Sequence, residues 1–267
     1  MRYIKNISCL LIAILLLTSC GSVPLTGRKQ MLLVSDSELL AASLTQYDEY
    51  MKSATKSADR TKSAMVERVG KKIATATEEY LKQNGLGREL SNFSWDFSLI
   101  KSDEVNAFCM PGGKIVVYEG LLPLVSSEDE LAVVIGHEVA HAVAKHSNER
   151  MTQELLAQYG TSILSSAAGT KSAALQTIAG PVLGLGTQLA IMLPYSRKHE
   201  YEADYMGLVF MTMAGYNPNS AVAFWQKMSA ASGGGSSSDF MSTHPSDSKR
   251  IAEIQRRLPE MEKYKNK

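Results

Sequence analysis

Gly136-His137-Glu138-Val139-Ala140-His141 restricts this chain more than any other stretch. It reads H-E-x-x-H. Residues four apart share a helix face, so a helix here aims both imidazoles at one point. Glu138 then lies beside that point, placed to take a proton from a water held there. Imidazole nitrogen suits zinc, and a catalytic zinc site uses three protein ligands with one position left to water. The flanking residues supply the helix. Ser127-x-x-Glu130 is a capping box, and Leu131, Val134, Ile135, Val139 and Val143 form an apolar stripe after it. A helix this apolar is buried, so its histidines must face a cleft.

A third ligand is readable further on. After Pro194 a helix is expected to run to Gly215, with Glu200 and Asp204 four apart on one face. Glu200 supplies a carboxylate ligand, and Asp204 a carboxylate to orient a ligand histidine. Glu202 points about 200° away from Glu200 at about 100° per residue, so it cannot share that role. His199 is on another face again. Ser232 to Ser238 is a flexible Gly/Ser loop leading to Thr243-His244-Pro245, and His244 could swing from there to the metal or serve only as a turn residue.

Around these motifs the period of apolar residues changes. Ser35-x-x-Glu38 opens one helix, Met65 to Leu81 carries the apolar face of a second, and Asn84-Gly85 stops it. Phe93, Trp95, Phe97 and Leu99 alternate with polar residues as a half-buried strand. Asn106 to Met110 is a second strand, Pro111-Gly112-Gly113 a turn and Lys114 to Tyr118 a third strand. The fold expected is α+β and mainly helical, with a small sheet beside the H-E-x-x-H helix. That sheet either supports the helix or offers an edge to a peptide. Lys145 to Arg150 is polar, and His146 reads as a surface or helix-end group. Ala173 to Leu193 is apolar but broken by glycines and Pro181, which fits helices over the cleft better than a membrane span.

The 267 residues carry a net charge of +1, so no basic field points to nucleic acid. Residues 1–19 hold Arg2, Lys5 and a short apolar run from Leu10 to Leu17, then Leu17-Thr18-Ser19-Cys20. This resembles a bacterial lipobox, with cleavage before Cys20 and lipid attached to it. The organisation expected is a signal peptide over 1–19, a lipidated tether over 20–34 and one domain over 35–267. The chain from Cys20 onward would carry net −1, since two of the 28 basic residues leave with the leader. Cys109 would be its only free thiol and reads as a small buried residue.

Taken together, H-E-V-A-H, Glu200 to Asp204, Thr243-His244-Pro245 and Arg250 resemble the gluzincin metallopeptidases. The subgroup is that of HtpX, the CAAX prenyl endopeptidases, BepA and LoiP. Asn106-Ala107-Phe108, Pro111-Gly112-Gly113, Gly120-Leu121-Leu122 and Thr26-Gly27-Arg28-Lys29-Gln30 are similar to that subgroup too. The likeness runs from about Pro24 to Leu258, in the form of the short LoiP-like lipoproteins. It implies a zincin-like domain with one zinc held by His137, His141 and Glu200, and Glu138 as general base. Asp204 would stand behind the ligands, and His244 would face the metal as a resting ligand or an oxyanion donor. Asn106, Ala107 and Phe108, or the strand after them, would bind substrate. Arg250 would hold the His244 loop or touch substrate. The activity implied is zinc endopeptidase cleavage of misfolded or misassembled envelope proteins, with a chaperone or assembly factor as the alternative. The place implied is a bacterial cell envelope, lipid-anchored and facing the periplasm, in the outer membrane.

Overall fold

A computed structural model describes residues 20–167, 195–232, 239–244 and 248–265. Residues 1–19, expected as a leader, the apolar stretch over 173–193, and residues 233–238 of the expected Gly/Ser loop lie outside the described residues.

The chain opens with a hairpin of β1 (Cys20–Ser22) and β2 (Lys29–Met31), then α1 (Asp36–Ser53) and α2 (Arg60–Gln83). Each helix starts where its sequence supplies an N-cap. Ser35 accepts from the Glu38 amide and Asp59 from the Lys62 amide, filling donors a helix start leaves open. Gly85, at φ 74°, ends the second in the left-handed region that favours glycine.

Three strands follow: β3 (Asp96–Ile100), β4 (Ala107–Met110) and β5 (Lys114–Tyr118). They lie in the order β3-β5-β4, with β3 parallel and β4 antiparallel to β5. The Pro111-Gly112-Gly113 turn places both glycines at positive φ, and Gly113 packs its bare Cα on the Trp95 ring. β4 is therefore an edge strand. The alternation expected of β3 gives no exposed face, because Tyr47 of α1 covers its polar side. The Tyr47 hydroxyl reaches Ser98 at 3.2 Å and donates to Asp96.

Next come α3 (Glu128–Val143), which carries H-E-x-x-H, and α4 (His146–Ala167). After the undescribed stretch come α5 (Arg197–Met213), α6 (Ser220–Ser232), the short α7 (Asp239–Thr243) and α8 (Ser248–Arg257). α3 is the axis of the core. Leu131, Val134, Ile135 and Val139 are all fully buried between α2, the sheet and α5, each worth about 1.5–3 kcal/mol in removed apolar surface. Its cap is the expected one, with Ser127 accepting from the Glu130 amide and the Glu130 carboxylate accepting from the Ser126 amide at 2.7 Å. No helix among the described residues is long and apolar enough to cross a membrane.

The segment expected as a tether is docked against the domain. Val23 and Gln30 are buried, the Leu33 amide donates to Thr152, and Arg28 reaches both α4 and α5.

Candidate metal centre

α3 presents His137 and His141 one turn apart, and α5 crosses it so that Glu200 meets them. His141 Nε2 lies 3.0 Å from His137 Nε2, and Glu200 lies 3.4 Å from each of those nitrogens. His244, just past α7, closes the group. Its Nδ1 is 3.2 Å from His137 Nε2 and 3.2 Å from Glu200 Oε1. One donor atom from each of the four side chains lies within 4.8 Å of the others, and all four residues are buried. Three ring nitrogens and a carboxylate oxygen turned on one point suit a borderline-soft cation such as zinc.

Glu138 sits at the edge of this group. Its Oε1 is buried, 3.4 Å from His244 Nε2, and makes no hydrogen bond. Burial pushes its carboxyl up, although His244, His137 and a backbone amide from Cys109 on β4 pull the other way. A buried carboxylate oxygen left open beside a converging donor set is a group awaiting a proton donor.

This donor group is held from behind. His137 Nδ1 lies 3.0 Å from Asp204 Oδ1, one turn beyond Glu200 on α5. Arg250 on α8 is buried and grips Asp204 with two bonds, of 2.5 and 2.8 Å. Its third nitrogen pairs with Glu200 at 2.7 Å, and its guanidinium lies on the Trp225 ring at 3.8 Å. Burial works against the Glu200 carboxyl, but Arg250 and the histidines hold it well below the usual carboxylate range. Burial lowers the His137 ring, yet Asp204 and Glu200 outweigh it and hold it at about 9. Burial dominates at His141 and drives it down. Arg250 was expected to hold the His244 loop or touch substrate; it is fully buried on Asp204 and Glu200, and its Nη1 lies 3.5 Å from the His244 carbonyl.

Two parts of the site were not read from the sequence. Tyr195 stacks flat on His141, ring centres 4.0 Å apart, and its amide donates to Thr243 just before His244. The other is His146, expected as a surface or helix-end group; it does begin α4, but it is fully buried, with Nδ1 2.9 Å from His141 Nδ1. The polar run that contains it packs among the N-terminal segment, Tyr195 and α5, which takes it out of water. Glu202 points away from the metal group, as helical geometry requires, and meets His146 instead. Asn106, Ala107 and Phe108 lie at the start of edge strand β4, Ala107 fully buried and the other two partly so. Cys109 is buried, and burial raises its thiol well above the usual range, as a structural cysteine requires.

A small sheet against a buried H-E-x-x-H helix, with a carboxylate brought in from a second helix, defines the metallopeptidase class. The chain belongs to peptidase family M48, whose family model matches residues 64–258. It is 41% identical over 172 residues to the mitochondrial metalloendopeptidase OMA1 of Schizosaccharomyces pombe, covering 64% of this chain and 49% of that protein. It is 29% identical to the metalloprotease LoiP of Escherichia coli, covering 70% of this chain and 73% of LoiP. To the beta-barrel assembly-enhancing protease of Yersinia pestis it is 27% identical, over 63% of this chain and 35% of that protein. The chain thus spans about half the length of the OMA1 relative.

These matches correct one expectation. The sequence reading placed the chain in a bacterial outer membrane by a lipid on Cys20, but relatives more similar to it than LoiP are mitochondrial by name. The physical reason is simple. The motifs behind the likeness to LoiP do the same chemistry in any compartment, so they carry no address.

Proposed function

We propose that this chain is a zinc-dependent endopeptidase that hydrolyses peptide bonds in unfolded or misassembled polypeptides. The observation that carries the reading is the meeting of His137, His141, Glu200 and His244 within 4.8 Å, with the buried Glu138 carboxylate beside them. His137, His141 and Glu200 would hold the ion. Bound zinc would lower the pKa of a water to about 7 and polarise a carbonyl.

The chain's own residues do the rest. Glu138, kept ready to accept a proton by its burial, takes one from the attacking water and delivers it to the leaving amine. Asp204 fixes the His137 ring, and Arg250 fixes Asp204 and Glu200. β4 is an edge beside Glu138, so an extended peptide can join it as a further strand, through main-chain hydrogen bonds that ask little of side-chain identity. A preference for unfolded segments follows from that, since only an extended chain can pair with an edge. His244 stands among the donors at rest, and its ring must move before a substrate carbonyl can approach.

The test pairs metal content with cleavage of an unfolded protein, for the full-length chain in detergent and for Glu138→Gln. One zinc per chain in both, with cleavage reduced by about 10²–10⁴-fold or more in the variant, is the expected result. Cleavage by Glu138→Gln at the parent rate would refute the role of Glu138. Zinc in both, no cleavage in either, and suppression of aggregation by both would replace the peptidase with the chaperone.

A further inference from the structure

Each candidate ligand histidine has a second ring nitrogen, and the two are supported differently. His137 Nδ1 meets a carboxylate directly, at Asp204. His141 Nδ1 meets His146 Nδ1 at 2.9 Å, and His146 Nε2 meets Glu202 Oε2 at 3.0 Å. Glu202 in turn accepts from the Thr26 hydroxyl at Oε1 and from Arg28 Nε at 2.7 Å at Oε2. The row therefore runs from the N-terminal hairpin, through α5 and α4, to the metal-facing ring on α3.

The protons along it can be counted. Arg28 is a donor only, and a carboxylate paired with it is an acceptor only. His146 Nε2 must then carry the hydrogen that goes to Glu202. In a neutral His146 ring that leaves Nδ1 as a lone pair, so His141 donates from its own Nδ1. His141 Nε2 is left bare, and it is the nitrogen that faces His137 and Glu200. A neutral imidazole with that nitrogen free is the tautomer a cation binds.

The surrounding structure holds this arrangement from several sides. Arg28 also makes two bonds to Glu149 on α4, of 2.8 and 2.6 Å. Glu149 pairs with His199 at 3.1 Å, and His199 stacks on the His146 ring, centres 4.4 Å apart. The only non-glycine residues with positive φ among those described are Leu25, at 68°, and Lys145, at 55°. Leu25 is in the turn that presents Thr26. Lys145 turns the chain from α3 into α4 and brings His146 under His141. Such backbone costs on the order of 1 kcal/mol or more and persists where its surroundings over-determine it.

We infer that Thr26 and Arg28, acting through Glu202 and His146, are positioning residues that set the tautomer and orientation of His141 and thereby tighten metal binding. This rests on the reading of His141 as a ligand. His146 is fully buried and Glu202 turns away from the donor group, so these two act from behind His141.

The test uses the full-length chain in detergent and reads zinc affinity by competition with a chromogenic chelator. Helix content and melting of the metal-free protein are followed in parallel. His146→Phe and Glu202→Gln are expected to weaken zinc by about 10–100-fold with helix content unchanged. Thr26→Val, which keeps the shape and loses the hydroxyl, is expected to weaken it severalfold, and Thr26→Ser to return it to the parent value. In the zinc-loaded parent with ¹⁵N-labelled histidine, the proton is expected on Nδ1 of His141 and on Nε2 of His146. A folded His146→Phe chain that binds zinc as tightly as the parent would overturn the proposal. So would a parent spectrum with the His146 proton on Nδ1, and that result needs no variant to fold. A parent that binds no zinc would instead remove the ligand reading itself, and this inference with it.

Discussion

Gly136 on α3 lies backbone to backbone against Gly207 on α5, at the crossing that brings His137, His141 and Glu200 together. A methyl group built on Gly207 would fall 2.9 Å from the Gly136 carbonyl carbon and from the His137 nitrogen. A methyl built on Gly136 would fall 3.0 Å from the Gly207 carbonyl oxygen. The close approach is what lets a carboxylate on α5 reach histidines on α3.

Gly207→Ala tests this contact. Alanine gains up to about 1 kcal/mol in helix propensity. The clash is with backbone, which cannot swing aside, and overpacking of this kind costs about 1–3 kcal/mol. Net destabilisation in urea is expected, with weaker zinc binding as Glu200 and Asp204 are pushed from His137. Unchanged stability and affinity would show that the helices have room to spare.

Arg250 carries the second prediction. It is buried with Asp204 and Glu200, so Arg250→Met leaves two buried carboxylates without their cation. Removing one partner of such a group costs about 3–5 kcal/mol. Metal-free protein should lose that much in chemical denaturation, and added zinc should restore part of it by supplying positive charge to Glu200. Arg250→Lys should recover less than its charge suggests, because one ammonium cannot reproduce a two-bond grip on Asp204.

Glu149 sets an acid limit on stability. Burial raises its carboxyl, but His199 and Arg28 outweigh that and hold it at about 2, against an ordinary value of 4.5. A carboxyl depressed by folding stabilises fully above its unfolded pKa and loses that contribution as pH falls through its folded one. The window is thus from about 4.5 down to about 2. Denaturation of the metal-free chain between pH 6 and pH 2 should fall more steeply for the parent than for Glu149→Gln. Parallel curves would show that Glu149 gains nothing from its partners.

His244 can be tested by counting ligands. Its place among the donors predicts three imidazoles and one carboxylate around zinc at rest. X-ray absorption of the zinc-loaded chain should show three imidazoles, and His244→Ala should show two, with an oxygen from water in the vacated place. Two imidazoles in the parent would mean that His244 faces the ion without binding it.

The sequence alone determined whatever depends on neighbours along one helix or turn. His137 and His141 share a face because they are four apart, and so do Glu200 and Asp204. Ser35, Ser127, Gly85 and the Gly112-Gly113 turn mark where elements start and stop, through caps and positive φ that few other residues supply. The sheet beside the H-E-x-x-H helix was legible for the same reason.

What only the tertiary structure decided are the contacts between segments far apart in the chain. Arg28 and Glu149 are 121 residues apart, and His146 and Glu202 are 56 apart. Periodicity rates a run such as Lys145 to Arg150 as solvated, because charge ordinarily seeks water. Here the N-terminal segment, Tyr195 and α5 cover it, and opposite charges and ring nitrogens satisfy one another in place of water. Whether a polar side chain faces water or a partner depends on what the fold lays over it, and no local pattern of residues contains that information.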